Sequence, residues 1–190
     1  MDLQELVKIN RTIRRFDESF RIGYPTLEQL VNLARLSASG ANMQPLKYLL
    51  YNKAEDCKRI FTYLAWAAYL NEWPGPESGE RPSAYIVILG DTSINKSFGV
   101  DHGIAAQSIM LGAVNQGLGG CIIASIRRDG LRKELNIPPQ YEILLVLAIG
   151  KPVEKVVIEE IRNGDVKYWR DEEQIHHVPK RSLDEIILKL

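Results

Sequence analysis

Apolar positions recur every three or four residues in some stretches of this chain and run together without a break in others. Leu3, Leu6 and Val7 share one helical face behind Asp2 and Glu5, which stand at capping-box spacing. Leu27, Leu30, Val31 and Ala34 repeat the pattern behind Thr26 and Gln29, a cleaner box that follows Gly23-Tyr24-Pro25. Asn52 and Glu55 head a third expected helix, with Ile60, Phe61, Leu64, Ala65 and Ala68 as its stripe. Residues 101–114 form a helix that is apolar on nearly every side and rich in small residues, so it belongs in the middle of the structure. Such a surface also admits the close approach of another helix, including one from a second subunit. A short helix at 131–135 stops at Pro138-Pro139, and Ser182 with Glu185 caps a last one carrying Leu183, Ile186 and Ile187.

The uninterrupted apolar runs predict strands at 48–51, 84–89, 121–126 and 142–150. Between them, residues 37–45 form a small-residue, amide-rich loop, and residues 73–82 hold prolines and glycines that break any regular element. From Glu154 to His177 the chain is charged and irregular, yet Tyr168 and Trp169 mark it as laid over a surface rather than disordered. No repeat or low-complexity tract occurs.

Composition narrows the function. The 190 residues suit one domain, 1–190, and 45% apolar with 25% charged residues is the make-up of a soluble globular protein. Lys plus Arg and Asp plus Glu each count 24, so no net field favours nucleic acid or a membrane surface, and an anion site must be local. Two cysteines form neither a disulfide framework nor a metal spacing. The acidic N-terminus and the lack of a long apolar run predict a cytoplasmic protein without a membrane span.

The local anion demand is Arg11-Thr12-Ile13-Arg14-Arg15-Phe16, with three guanidinium groups and a hydroxyl in six residues. A basic end to the first helix would also be stabilised by the helix dipole, which gives Arg11 a purely structural use. A second basic pair, Lys180-Arg181, precedes the last helix, where a free cation is unfavourable, so an anion between Arg14 and Lys180 would account for both. Gly117-Leu118-Gly119-Gly120 precedes a strand, whereas the dinucleotide fingerprint follows one, which excludes a Rossmann site. There is no hydrolase elbow and no zinc motif; His102 fits a structural role better than a base, and His176-His177 point in different directions. Phosphate-binding groups without an acid–base or nucleophile set describe a cofactor enzyme.

Three segments together resemble the nitroreductase family of FMN-dependent, NAD(P)H-using flavoenzymes. Arg11 to Phe16 is similar to that family's Arg-Ser-x-Arg-x-Phe opening, and Ser37-Ala38-Ser39-Gly40-Ala41-Asn42-Met43-Gln44-Pro45 to its Ser-Pro-Ser-Ser-x-Asn-x-Gln-Pro loop. Gly117 to Ser125 resembles its Gly-Leu-Gly-x-Cys segment, and Val178-Pro179-Lys180-Arg181 its basic C-terminal contact. The resemblance implies an α+β fold with a helix-flanked, mostly antiparallel central sheet, assembled as an interwoven homodimer. It implies that Arg11, Thr12, Lys180 and Arg181 hold the FMN phosphate and that Arg14 reaches the ribityl chain and pyrimidine edge. Ala38, Ser39, Gly40 and Asn42 would contact the flavin from the other subunit, and Ile123, Ala124 and Ser125 would lie along the ring near N5. A cation at Arg14 would favour the negative charge that builds at N1 and the C2 oxygen on reduction. The implied reaction is ping-pong hydride transfer from NAD(P)H to a small electron-poor acceptor, a nitroaromatic, quinone or similar. A specialised flavoenzyme of the same fold (dehydrogenase, dehalogenase or flavin-cleaving) and a non-catalytic FMN-binding protein are the alternatives. Ala38, Gly40, Leu46, Ala124 and Ser125 depart from the family pattern, and residues 54–82, which shape the acceptor pocket in the family, match no motif.

Overall fold

The computed structural model describes residues 1–70 and 72–189. In chain order it contains α1 (Leu3–Ile9), β1 (Phe16–Asp17), α2 (Tyr24–Arg35), a 3-10 turn (Gly40–Asn42), β2 (Leu46–Tyr51), α3 (Ala54–Phe61) and β3 (Ala84–Asp91). There follow α4 (Asp101–Asn115), β4 (Gly119–Ile123), α5 (Arg128–Glu134), β5 (Tyr141–Pro152), β6 (Val156–Glu160), β7 (Trp169–Arg170), β8 (His176–Lys180) and α6 (Leu183–Ile186).

The long strand β5 organises the sheet. β3 lies along one edge of it and β2 beyond β3, while β4 and the short β1 share its other edge; every one of these pairings is antiparallel. Each residue of β3 is buried, because successive side chains leave opposite faces and helices cover both. Ala84, Ile86 and Ile88 pack with Leu27 and Leu30 of α2 and Ala106, Ile109 and Ala113 of α4. Tyr85, Val87 and Leu89 pack instead with Cys57 and Ile60 of α3 and Leu131 of α5. The chain is thus α+β, helix-flanked and mostly antiparallel, as the sequence pattern with its family resemblance implied.

Several local expectations needed adjustment. α2 begins at Tyr24 with Gly23 as its N-cap and proline in its first turn, so Thr26 and Gln29 lie inside the helix and form no capping box. α3 ends at Phe61: Lys53 takes the N-cap, and the Asn52 amide donates instead to the Ile22 carbonyl, 2.9 Å away. Leu64 and Ala65 are outside the helix because their backbone is used to bridge the chain after β4; the Ala65 N–H donates to the Ser125 carbonyl at 3.0 Å. The segment after Glu154 is a small sheet, β6 parallel to β8 and β8 antiparallel to β7. The Ser182–Glu185 capping box forms as expected, but it heads a single turn.

Candidate functional site

The N-terminal basic segment is placed by α1 and β4. Beyond α1, the Arg11 Nη2 donates to the Val7 carbonyl at 2.8 Å, so the helix-end use of this arginine is real. Its Nε is nevertheless buried without a partner, and burial lowers its pKa. Thr12 bridges to Gly120, and the Ile13 N–H donates to the Gly120 carbonyl at 2.8 Å. Gly120 must be small, because a Cβ there would run into the Ala148 carbonyl oxygen of the neighbouring strand. A cavity of about 500 Å³ opens beside Arg11, lined by Lys8, Val114, Leu118, Val156 and Ile158 among others.

Arg14 and Arg15 take opposite directions. The Arg14 side chain is buried, with Nη1 3.3 Å from His176 Nε2 and its guanidinium carbon 4.7 Å from the Tyr168 ring centre. Glu154 holds the backbone here, its Oε1 accepting the N–H groups of both arginines, while its Oε2 pairs with Arg170 at 2.9 Å in a nearly solvent-free setting. Arg170 also stacks over Trp73 at 4.4 Å. Burial, Arg14 and Arg170 together lower the His176 pKa to about 4, so the ring is neutral and can accept from Arg14. Cys121 lies in the same neighbourhood, its thiol pushed up to about 11 by burial against an opposing pull from Arg14. Arg15 forms a two-pronged ion pair with Glu80, Nε at 2.7 Å and Nη2 at 2.6 Å, tying the chain before β1 to the loop before β3.

β4 ends with Ile123 buried and Ala124 and Ser125 exposed. The Ser125 carbonyl is engaged by Ala65, but the N–H groups of Ala124 and Ser125 have no protein partner among the described residues. Lys180 and Arg181 are elsewhere: Lys180 ends β8 opposite Glu160, and Arg181 pairs with Glu185 at 3.2 Å. Val156, at the Arg11 cavity, is four residues along β6 from Glu160, roughly 13 Å of extended chain. Within one chain, then, Lys180 is not brought to Arg11 or Arg14.

The amide-rich loop is built on the start of α4. Asp101, buried there, accepts from the Ser39 hydroxyl at 2.6 Å and the Gly40 N–H at 3.0 Å. Ser39 Oγ accepts the Gln44 N–H at 2.9 Å, and the Gln44 amide donates to Asn42 Oδ1 at 3.1 Å. Ala41, Asn42 and Gln44 all have positive φ, at 48°, 55° and 51°, a conformation that costs side-chain-bearing residues energy and is retained here by that network. Ala38, Gly40 and Asn42 are exposed, beside a cavity of about 140 Å³ lined by Ser39, Gln44, Tyr48, Asp101 and Ala105 among others. Burial, with Asp101 adding to it, pushes the Tyr48 hydroxyl up to about 12.

Sequence reasoning missed Asp101, Glu154 and Tyr168 as positioning groups. Asp101 carried a detectable signal, an acid at the start of a helix next to a loop that needs an acceptor. Glu154 and Tyr168 carried none, because their use depends on where the tail folds back.

The two groups of candidate residues stand at opposite ends of α4. Asp101, under the Ser39 loop, and Val114, at the Arg11 cavity, are separated by thirteen residues of helix, roughly 20 Å.

Comparison with known proteins agrees with this architecture. The model of the Nitroreductase family matches residues 8–151, and the chain belongs to that family. A Bacillus subtilis (strain 168) protein, YodC, named as an NAD(P)H nitroreductase, is 22% identical over 78% of this chain and 89% of its own. Among solved structures, an FMN-dependent nitroreductase of Clostridium difficile R20291 superimposes with a TM-score of 0.65 at 21% identity, over 85% of this chain and 92% of the other. CLA-ER, an enone reductase of gut-bacterial fatty acid saturation, gives a TM-score of 0.69 at 16% identity, over 86% and 94% of the two chains. Among the described residues no helix is long and apolar enough to cross a membrane.

Proposed function

We propose that this member of the family is an FMN-dependent oxidoreductase that passes a hydride from NAD(P)H to a small electron-poor acceptor, a nitroaromatic, quinone or similar, in two half-reactions. The carrying observation is Arg11. A buried guanidinium Nε with no partner, beside a cavity of about 500 Å³, fits a phosphate group. The names of the relatives, an NAD(P)H nitroreductase and an FMN-dependent nitroreductase, support the same cofactor and donor.

FMN would supply the chemistry, accepting and donating hydride at one face of its ring. Arg11 and Thr12 hold the phosphate, and the free N–H groups of Ala124 and Ser125 are available to the ring edge. Arg14 contributes positive charge from beneath, held by Tyr168 and His176. Ser39, Gly40 and Asn42 serve the site of a second copy, because α4 keeps them away from their own chain's Arg11. Lys180 and Arg181 join the phosphate once the tail of one copy meets the other.

A visible spectrum of purified, FMN-reconstituted protein tests the proposal. Bound-flavin absorbance that bleaches anaerobically with NADH or NADPH, and returns with a quinone or nitroarene, is the expected result. Absence of a flavin spectrum defeats the reading, and tight FMN binding without bleaching by either nicotinamide converts the protein to a non-catalytic binder.

A further inference from the structure

A polar cavity on the α3 side of the sheet plays no part in the flavin scheme. It measures about 10 Å³ and is lined by Glu18, Arg21, Cys57, Lys58, Arg81, Ser83 and Tyr85, with Ala54, Phe61 and Pro82 completing the wall. Arg81, Ser83 and Tyr85 alternate along the chain entering β3, and all three reach the cavity because every second residue of extended chain shares a face. Ala54, Cys57, Lys58 and Phe61 face it from α3 at the spacing of one helical side.

The donors here lack acceptors. Ser83 is 3% exposed and Tyr85 is fully buried, yet neither hydroxyl has a hydrogen-bond partner, and neither has the buried Nε of Arg81. Three unpaired polar groups lining one small space are unusual, since buried donors nearly always find a partner. The Cys57 thiol does not serve them: its sulfur lies 3.6 Å from the Ser83 carbonyl, towards which it donates, and burial pushes its pKa up to about 12, so it brings no charge. Charge is also unbalanced. Arg21, Lys58 and Arg81 form no ion pair among the described residues. Arg81 is fixed by its guanidinium lying 4.3 Å over the Phe61 ring. Glu18, the one acid in the wall, is engaged by the Gly79 N–H at 2.6 Å.

We propose that this cavity binds a single small monovalent anion of chloride size, held by the Arg81 Nε–H and the Ser83 and Tyr85 hydroxyls and drawn in by Arg21 and Lys58. The space is at the lower limit for one water, so phosphate and sulfate are excluded, and a chloride, somewhat larger than water, enters with a small outward movement of the exposed Arg21 and Lys58 side chains. A halide accepts several donors at once and has no proton of its own to place. A water can donate to the Ser83 and Tyr85 hydroxyl oxygens, so what favours an anion over water here is the positive charge of Arg21, Lys58 and Arg81 in the wall, unpaired among the described residues. The bound ion fastens α3 to the start of β3 and to the loop that carries Glu80.

The test is chloride-35 NMR of the purified full-length protein, measured with and without added FMN, together with thermal unfolding in chloride against gluconate at equal ionic strength, and anomalous scattering from bromide-soaked crystals. The expected results are excess chloride line broadening, a higher melting temperature in chloride and a bromide peak between Arg81, Ser83 and Tyr85. Ser83→Ala combined with Tyr85→Phe removes the orphan hydroxyls at nearly constant shape. That variant loses the excess broadening and the chloride increment while melting no lower in gluconate than the parent. Arg21→Gln with Lys58→Gln, a surface change, weakens the same signals. Broadening that persists in the hydroxyl variant, or a cavity holding only water in bromide, overturns the proposal. None of these readouts depends on hydride transfer, so failure of the flavin scheme leaves the test intact.

Discussion

Two adjacent arginines show how much a side chain's use depends on what it meets. Arg15 leaves the chain towards Glu80 and keeps only about 25% of its side chain exposed, whereas Arg14 turns inward beneath Tyr168 and His176. Removing Arg15 costs a two-pronged ion pair near the surface, about 1 kcal/mol of stability, with little effect on the flavin. Removing Arg14 takes away a buried positive charge close to Cys121 of β4, the strand that would flank the ring. Arg14→Ala is therefore expected to slow flavin reduction by on the order of tenfold or more, and Arg15→Ala to leave it nearly unchanged. Stopped-flow reduction by NADH or NADPH measures both; equal rates for the two variants refute the division. The same Arg14→Ala change removes a repulsive neighbour of His176, so the imidazole pKa, followed by NMR, rises from its low value.

At the scale of elements, β8 carries a pair of histidines with opposite surroundings. His177 faces Asp171 at 3.2 Å and Glu159 at 3.4 Å and stacks on Trp169, while His176 faces inward to Arg14, Arg170 and Tyr168. For His176 the folded pKa is depressed, so its contribution to stability is complete above the unfolded value near 6.5 and is lost as pH falls towards about 4. The unfolded chain takes up the proton first, and over that window the loss amounts to about 3 kcal/mol. His176→Gln keeps an acceptor for Arg14 but has no such titration. Denaturant unfolding of the two proteins between pH 7 and pH 4 (roughly the span of the imidazole shift) is expected to show the difference developing across that window, and parallel curves exclude it. This element was also the hardest to see in the sequence. The runs at 84–89 and 142–150 are buried on both faces and declare themselves as strands, and the stripes of α2 and α4 declare helices. β6, β7 and β8 are short, charged and stabilised by pairing with residues far along the chain, so no local pattern marks them. The basic segment and the amide loop were legible as chemistry, because arginine clusters and small-residue loops stand out by type. That Glu154 and His176 would hold the basic segment was not, since those contacts exist only after the tail is in place, whereas Asp101 left a trace as an acid at a helix start.

For the whole molecule, α4 acts as a spacer. It fixes the Ser39 loop at its first residue and the Arg11 cavity near its last, on the order of 20 Å apart, and this separation is the reason the two groups are assigned to different flavin sites. Its flank also leaves Val100 and Ile104 exposed, apolar groups available to a second copy. If two copies exchange these halves, each site takes Arg11 from one chain and Asn42 from the other. Arg11→Ala and Asn42→Ala homodimers are then both impaired, but a mixed dimer places the two substitutions in the same site and leaves the other site intact. Random reassortment of equal amounts makes about half of the dimers mixed, and about a quarter of all sites whole. Mixing the two inactive proteins under conditions that exchange subunits is thus expected to restore NAD(P)H oxidation to about a quarter of the parent rate, with exchange verified by co-purification of differently tagged chains. A mixture in which tagged chains have exchanged yet activity stays at the level of the separate variants would show that both residues act within one chain, and the division of the site across α4 would have to be abandoned.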